Sequence, residues 1–549
     1  MGERDFSRRD LLAAGALAGT GLLLPGDAWA QRKKQQPTIL GGFSHGVASG
    51  EPGPTSMLFW TRYQGTGERV VPLSLEISSD PRMARAKVVA ETYADPSRDW
   101  TARTVVKGLA PGRVYYYRFI GPEKNVRSEI GRTKTLPEGA PGAFRMGVFS
   151  CSNLPFGWFN AYGHAVAADD IDLAVHLGDY IYEYARGTYP AKAVDGRVIE
   201  PAGEAVRRQD YWARYRSYRA DADLQALHAR VPWVAMWDDH EIANDAWRGG
   251  AENQQPNEGV WADRVKAATA AYRDWMPVSD QSWATYDIGR LATLYRLDTR
   301  LAGRDEPLDV GEAIKRGPDT MTALKRLRDE DWVACNRQLL GVPQEQWLFG
   351  EMQAAARRGV RWQVLAQQVV MGKLKAPAGA SQMAGPNAGG QVAAALGAAE
   401  MASRVGLPFN LDAWDGYPAA RARVLSTAQR QGVDLVVLAG DSHNGWASDL
   451  VNDGRPAGVE FAGQSVTSPG LEAYLRAAEP GALAAAMVAA NPTLKWADTS
   501  GRGYMQVTLT PAEAVCEWRF TAPVTGHAPK LASMTRGRVG AGQKRLQMG

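Results

Sequence analysis

The sequence predicts a mixed α/β protein in which an all-β segment precedes a larger segment of alternating strands and helices. The chain has 549 residues, more than one hydrophobic core usually organises, so at least two structural parts are expected. Short runs of β-forming residues, separated by Gly and Pro, fill residues 41–137. From residue 143 onward, apolar strand-like runs alternate with helical stretches, which is typical of α/β architecture.

The composition excludes several classes of protein. Hydrophobic residues make up 45% of the chain and charged residues 22%, a balance that excludes global disorder. The net charge of +4 is too small to indicate a nucleic-acid binder, so no stable nucleic-acid complex is expected. Three cysteines are too few for a disulfide scaffold. Cys335 and Cys516 are expected to be structural, and a disulfide between them stays open.

Residues 1–30 are predicted to be a twin-arginine signal peptide. Arg8 and Arg9 precede an apolar run from Leu11 to Leu24, and Ala28-Trp29-Ala30 supplies a small-x-small cleavage site. The run is shorter than the roughly 20 residues that span a bilayer, so no membrane span is expected in the mature chain, although an uncleaved anchor is the alternative. We expect a periplasmic or secreted protein exported by the twin-arginine translocase. Because that route carries folded proteins, it favours a metal or cofactor inserted before export.

Residues 41–137 are predicted to form a β-sandwich. Strand-like runs occur at Ser56–Thr61, Leu73–Ile77 and Val114–Phe119, with Gly- and Pro-containing turns between them. The stretch Leu109–Tyr117 resembles the strand-turn-strand of fibronectin type III-like sandwiches. Residues 136–142 are then a linker.

Residues 143–525 are predicted to form the α/β part, with an amphipathic helix over Asp210–Arg230. The Gly- and Ala-rich residues 372–406 are expected to form a long flexible loop with one Ala-rich helix. The last residues, 526–549, are basic and Gly-rich and are expected to be a flexible tail. The predicted strands are Phe144–Ser150, Ile171–Leu177, Val231–Trp237, Trp362–Val370 and Val433–Ala439.

Polar clusters follow four of these strands. In α/β sheets, ligands collect just beyond the carboxyl ends of the strands. Each cluster alone is more typical of turns and caps, but four in this position predict that their Cys, Asp, Tyr, His and Asn side chains gather at one rim. The clusters are Phe149-Ser150-Cys151-Ser152-Asn153, His176 to Glu183, Met236 to Glu241 followed by Asn244, and Leu438 to Asn444.

The order of these motifs resembles the calcineurin-type metallophosphoesterases. The G-D-x-x-Y spacing of Asp179 and Tyr182 is similar to the purple acid phosphatase branch. More specifically, the chain resembles the PhoD-type alkaline phosphatase/phosphodiesterase family over about residues 43–505. The resemblance implies a four-layer αββα catalytic domain preceded by an all-β, fibronectin III-like sandwich. The matching stretches are Gly46–Pro52, Leu177–Tyr184, Trp237–Glu241, Leu365–Gln368, Asp412–Pro418 and Gly440–Trp446.

The candidate ligands divide into two metal seats. Thiolate and phenolate donors favour trivalent iron, which assigns Fe3+ to the first seat. An oxygen-rich second seat suits Ca2+, and the resemblance to the family implies the same iron and calcium pair. The alternatives are purely structural: Cys151 would be a buried apolar residue, and Tyr182 would be an aromatic residue packed in the core. The first seat comprises Cys151, Asp179, Tyr182 and His443, and the second comprises Asp179, Asp239 and Asp441 with Asn244 nearby.

Two neighbouring metals would bind phosphoryl oxygens and activate a water or bridging ligand for attack on phosphorus. Asp179 is the candidate bridging carboxylate, and His240 the candidate donor to the phosphoryl oxygen or the leaving group. Asn153, where the wider superfamily has His, is expected beside the metals rather than on them. Asn153 and Arg502 are also candidates for contacting substrate, with a surface or sheet-pairing role as the alternative for Arg502.

These residues predict an exported hydrolase of small phosphoesters, an alkaline phosphatase with monoesterase activity, diesterase activity or both. A phospholipase D-like phosphodiesterase is the alternative within enzymes, and a surface binding protein with an inactive phosphatase domain is the alternative outside them. Residues 372–406 and 412–418 are expected to gate the metals, because long loops at strand ends are often lids. A solvated insertion without a catalytic part is the alternative for this segment.

Overall fold

The computed structural model describes residues 42–65, 67–123, 126–384 and 389–549. The predicted signal peptide, residues 1–30, lies outside these ranges. Within them, no helix combines the length and the apolar character that crossing a membrane requires. The predicted mixed α/β class is confirmed, with several sheets and interspersed helices.

The strands and helices fill most of the described chain. The strands are β1 (Gly42–Gly50), β2 (Ser56–Gln64), β3 (Val71–Ser78), β4 (Lys87–Ala94), β5 (Thr101–Lys107), β6 (Val114–Ile120), β7 (Gly131–Lys134), β8 (Phe144–Phe149), β9 (Leu173–His176), β10 (Trp233–Ala235), β11 (Ala284–Ile288), β12 (Ala292–Arg296), β13 (Trp362–Ala366), β14 (Asp434–Ala439), β15 (Gly445–Asn452), β16 (Arg455–Ala462), β17 (Leu494–Asp498), β18 (Gly503–Leu509), β19 (Glu513–Thr521), β20 (Leu531–Gly540) and β21 (Gln547–Met548). The α-helices are α1 (Asn160–Ala168), α2 (Arg208–Arg219), α3 (Ala222–Arg230), α4 (Trp261–Trp275), α5 (Val310–Arg316), α6 (Thr320–Arg326), α7 (Val342–Arg357), α8 (Ala380–Met383), α9 (Gly389–Arg404), α10 (Pro418–Gln431) and α11 (Pro480–Ala490).

Two large sheets carry the polar clusters. The ten-stranded sheet has the order β21-β20-β19-β18-β8-β9-β10-β1-β2-β5, and the seven-stranded sheet the order β11-β12-β13-β14-β16-β15-β17. Successive side chains of a strand point to opposite faces, so each sheet buries two sets of residues. Val175 of β9 and Leu438 of β14 belong to one hydrophobic cluster shared by both sheets. Their neighbours Ala174 and Val437 pack instead in separate clusters with helices.

The N-terminal segment is continuous with the ten-stranded sheet. A four-stranded sheet, β4-β3-β6-β7, packs against β1, β2 and β5 through a cluster that contains Phe59 and Leu75. Gly50 of β1 pairs in parallel with Trp233 of β10. Trp60 of β2 lies in the helix-covered cluster and donates a hydrogen bond from Nε1 to the Asp274 carbonyl at 2.7 Å. The N-terminal strands therefore share both a sheet and a core with the α/β part.

The predicted helix over Asp210–Arg230 is wrong as a single helix, because the chain breaks it after Arg219. Asp221 accepts a hydrogen bond from the Leu224 backbone N–H at 2.9 Å and starts α3 as its N-cap. An Asp side chain that satisfies a free helical N–H favours a new helix start over continuation.

The predicted flexible tail, residues 526–549, is instead part of the ten-stranded sheet. Strand β20 pairs with β19 from Leu531 to Gly540, and β21 pairs with β20. Val539 and Leu546 pack into the cluster between the sheets. Most side chains of β20 are exposed, so the strand lacks the apolar alternation that would reveal it in the sequence.

The segment after β13 is more ordered than the predicted flexible loop. The expected Ala-rich helix is α9, and a short helix, α8, precedes it. The Leu374 backbone N–H donates to Asp415 Oδ2 at 2.8 Å, and Lys375 N–H donates to Asn491 Oδ1 at 2.7 Å. The cysteines are free thiols, so Cys335, which is exposed, and Cys516, which is buried, form no disulfide.

Candidate metal centre

The four polar clusters meet where the two large sheets face each other. Strands β8, β9 and β10 are neighbours in one sheet, and β14 lies in the other. Sharp turns follow three of these strands: Cys151, Asp179, Asp441 and His443 have φ between 56° and 62°. A positive φ is uncommon for residues other than glycine. Residues with this strained backbone conformation are found most often at functional sites.

Three predicted iron ligands lie within reach of one ion. One donor atom each of Cys151, Asp179 and His443 lies within 4.8 Å of the others. Tyr182 joins this group, because its hydroxyl donates to Asp179 Oδ2 at 2.9 Å and lies 3.3 Å from His443 Nε2. Ser468 fixes the phenol by donating from Oγ to the Tyr182 hydroxyl at 2.7 Å.

Two further donor groups adjoin the first. Asp179, Asp239 and His240 form one, and Asp238, Asp239 and Asp441 form the other. Asp179 belongs to both the first and the second group, the arrangement expected of a bridging carboxylate. Asp238 lies in the Met236 to Glu241 motif but is not among the ligands predicted from the sequence.

The contacts of Asn244 point away from these carboxylates. Its backbone N–H donates to Glu183 Oε1 at 2.8 Å, and its side-chain Nδ2 donates to Glu252 Oε2 at 3.3 Å. The side-chain oxygen is therefore the atom left for a cation. Its assignment to the calcium seat stays a prediction.

Because the centre is buried, negative charge on its side chains is strongly unfavourable unless a positive charge compensates it. Burial and, after it, the Asp179 carboxylate raise the pKa values of the Cys151 thiol and the Tyr182 phenol. Burial raises the pKa of Asp179 well above its usual range and that of Asp441 to about 7. A bound cation reverses these directions, because it stabilises the deprotonated donors.

Several buried acceptor atoms have no hydrogen-bond partner. Among the carboxylates of the centre they are Asp179 Oδ1, Asp238 Oδ2 and Asp239 Oδ1. A buried carboxylate oxygen without a partner costs free energy, and a hard cation is the ligand that these oxygens favour. The carboxylates, the thiol and the imidazole present therefore fit a metal centre.

His240 is held in place by Glu183. Its Nδ1 lies 2.8 Å from Glu183 Oε2, and Glu183 is fully buried. Burial lowers the pKa of His240, but Asp239, Asp179 and Glu183 together outweigh it and raise the pKa well above its usual value. The imidazole is therefore positioned as a charged hydrogen-bond donor.

Two acidic residues of the predicted motifs, for which the sequence predicts no role, hold parts of the site in place. Glu183 anchors His240, as described above. Glu241 joins the turns after β9 and β10, because its Oε2 accepts the backbone N–H groups of Asp179 at 3.0 Å and Asp238 at 2.7 Å. Both could have been found in the sequence, because Glu183 directly follows Tyr182 and Glu241 directly follows His240.

Asn153 and Arg502 have different surroundings. Asn153 is fully buried, and its Oδ1 has no hydrogen-bond partner. Arg502 pairs with Glu472 and donates from Nη1 to the Ser500 carbonyl at 3.0 Å. It contributes to lowering the pKa of His443 to about 3, after burial as the main cause. Substrate contact by either residue stays a prediction.

Arg300 was not predicted from the sequence. It follows β12 in Leu297-Asp298-Thr299-Arg300, and it is fully buried against Asp238, Asp412 and Asp441. The signal was the same as for the predicted clusters, polar residues directly after a strand. The strand itself was missed because its run is short.

Residues 146–518 match the PhoD-like phosphatase family, and residues 28–137 match the N-terminal domain of the same family. The chain belongs to the PhoD-like phosphatases. The predicted resemblance is thereby confirmed, and so is the prediction of a phosphoric ester hydrolase.

One relative and one solved structure extend this family assignment. The chain is 33% identical to alkaline phosphatase D of Bacillus subtilis, over 97% of this chain and 87% of that protein. A solved structure described as the structure of PhoD superposes with a TM-score of 0.74 at 29% identity, over 92% of each chain. The fold and the family of this PhoD-like phosphatase therefore agree along almost its whole length.

Proposed function

We propose that the protein is an exported, metal-dependent alkaline phosphatase that hydrolyses small phosphate monoesters, phosphodiesters or both. One observation carries the proposal: the donor atoms of Cys151, Asp179 and His443 converge beside buried carboxylate oxygens that lack partners. The relationship to alkaline phosphatase D supports the same activity.

We assign Fe3+ to Cys151, Asp179, Tyr182 and His443. Ca2+ is assigned to Asp179, Asp239 and Asp441, with the Asn244 amide oxygen beside them. When bound, such ions neutralise phosphoryl oxygens and lower the pKa of a coordinated water or bridging ligand. Anionic sulfur and phenolate donors support a trivalent ion in the first seat, and the carboxylates support a hard divalent ion in the second.

The chain's own residues then orient the ester. His240 donates a hydrogen bond from Nε2 to a phosphoryl oxygen or to the leaving group, because Glu183 occupies its Nδ1. Asn153 offers a buried amide to the substrate side of the Cys151 turn, and Arg502 offers a guanidinium to a phosphate.

The remaining expectations belong to the same proposal. Residues 1–30 act as a twin-arginine signal, and the mature protein works in the periplasm or outside the cell. Residues 41–137 form a fibronectin III-like sandwich before a four-layer αββα catalytic domain that begins at residue 143. Residues 372–406 and 412–418 gate the metals.

Purified protein matured through its own export route tests the activity. We expect turnover of p-nitrophenyl phosphate, of bis-p-nitrophenyl phosphate, or of both, and loss of that turnover in Asp179→Asn. Release of the headgroup from a phospholipid, without turnover of either chromogenic ester, would favour the phospholipase D-like alternative. Metal-loaded protein that turns over none of these substrates would refute the proposal.

A further inference from the structure

Arg300 lies at the centre of the carboxylates that follow β10 and β14. Its side chain is fully buried. Nη1 donates to Asp412 Oδ2 and Nη2 to Asp441 Oδ1, each at 2.8 Å, and Nε donates to Asp238 Oδ1. Nη2 also lies 3.5 Å from Asp239 Oδ1. One guanidinium thus contacts four acidic side chains.

Three of these acids are also the third group with metal-ligand spacing, Asp238, Asp239 and Asp441. An arginine keeps its charge at every physiological pH, and its fork of N–H donors matches carboxylate oxygens. The oxygens of Asp238 and Asp441 that face Arg300 are hydrogen-bonded. Asp238 Oδ2 lacks a hydrogen-bond partner and is a different atom from the oxygen that Arg300 contacts. Asp239 Oδ1 also lacks a hydrogen bond, but it is the Asp239 oxygen that faces Arg300.

The position of Arg300 is itself fixed by neighbouring groups. Asp412 accepts from Arg300 and also pairs with Arg304, which is fully buried. Arg304 donates from Nη1 to the Thr299 carbonyl at 3.1 Å, and its guanidinium lies 5.1 Å from the Tyr417 ring centre. A guanidinium held in this way cannot move aside without leaving buried charges unpaired.

We propose that Arg300 is a built-in cation that occupies the Asp238–Asp239–Asp441 group and excludes a metal ion from it. Arg300 is a positioning residue, since its contacts are with candidate ligands and not with substrate. The inference rests on the proposed metal centre and not on ester hydrolysis, so its test uses metal content and metal-free stability.

Elemental analysis of protein saturated with calcium and then desalted gives the first test. Arg300→Gln should bind about one more calcium ion per chain than the parent protein, because three clustered acids lose their internal cation. The metal-free variant should melt at a lower temperature than the metal-free parent, and added calcium should raise its melting temperature by more. Arg296→Gln is the matched control, since Arg296 is an equally buried arginine that pairs with Glu51 and has no ion pair with the four acids around Arg300. The control should lose stability while its calcium content stays that of the parent. Equal calcium content in Arg300→Gln and the parent would overturn the proposal.

The parent protein provides a second test that does not depend on a variant folding. Crystals soaked with terbium, a calcium substitute with strong anomalous scattering, should show no peak between Asp238 Oδ1 and Asp441 Oδ1. Arg300 should keep its contacts in the metal-loaded protein. A peak at that position with Arg300 displaced would overturn the proposal, whatever the protein hydrolyses.

Discussion

Nδ1 of His240 lies 2.8 Å from Oε2 of Glu183, and the second carboxylate oxygen of Glu183 accepts from the Asn244 backbone and from Asn253 Nδ2, each at 2.8 Å. The carboxylate is therefore saturated on both oxygens. Burial raises the pKa of Glu183, but His240 and its other partners outweigh it and hold the pKa below its usual value. The pair is fixed as carboxylate and imidazolium, with Nε2 of His240 left for the proposed substrate.

Glu183→Gln should lower kcat roughly 100-fold, because it removes the charge that keeps His240 protonated. Glu183 raises the pKa of His240, so its loss lowers that pKa and the imidazolium disappears at a lower pH. The alkaline limb of the kcat profile should then move to lower pH, with metal content unchanged. Glu204→Gln is the control, since Glu204 pairs with Arg264 and does not touch His240. An unchanged profile in Glu183→Gln would show that Glu183 only supports the fold.

Tyr182→Phe should shift or abolish a visible absorption band if iron is bound through the phenolate. Absorption spectroscopy with elemental analysis measures both colour and metal. Tyr184→Phe is the matched control, because Tyr184 packs beside His240 but its hydroxyl forms no hydrogen bond with the candidate ligands. Chelating calcium should remove activity and leave the band. Stoichiometric zinc without iron would contradict the assignment.

Asp441 should make the metal-free protein less stable as pH rises from about 4.5 to 7. Burial raises its pKa to about 7, so in this window the folded state holds a proton that the unfolded state has released, and the free energy of unfolding falls with pH. The buried imidazoles of His45, His176 and His443, whose pKa values burial lowers to about 3, act in the opposite direction, so the contribution of Asp441 is measured against a variant. Urea unfolding of metal-free Asp441→Asn and of the parent protein is compared at pH 5 and pH 8, and the parent should lose more stability, or gain less, between the two pH values. An equal change in both proteins would contradict the prediction.

Replacing residues 376–400 by a short Gly/Ser link should change the preference between small and bulky esters if the segment is a lid. Leu396 packs in a cluster with Leu475 and Met487, so the replacement uncovers that surface. Steady-state kinetics on a small and a bulky ester, together with elemental analysis, provide the measurement. Metal content should be unchanged. If the variant and the parent protein show the same kinetics on each ester, the segment is a solvated insertion without a catalytic part.

The candidate ligands could be found from the sequence because each follows its own strand. Cys151 and Asp441 come directly after buried apolar runs, and strand ends bring such residues together in α/β sheets. Arg300 could not be found in this way, because its role depends on Asp238, Asp412 and Asp441, which lie far apart in the chain. A charge that neutralises residues from several segments leaves no local pattern.

The errors in the fold prediction have the same origin. The pattern over Asp210–Arg230 is helical on both sides of Asp221, and only the hydrogen bond to Leu224 shows where one helix ends and the next begins. Strand β20 was missed because its partner β19 supplies the pairing while few of its own side chains are buried. Tertiary contacts decide both cases.

The parallel pairing of Gly50 with Trp233 has a consequence for how the protein can be divided. A fragment that starts at residue 143 would expose an open sheet edge along β10, and Trp275 would lose the ring of Trp60, 5.8 Å from its own. Open edges of this kind promote aggregation. We therefore expect protease cleavage in the linker at 136–142 to leave the two pieces associated, and the catalytic fragment expressed by itself to be insoluble.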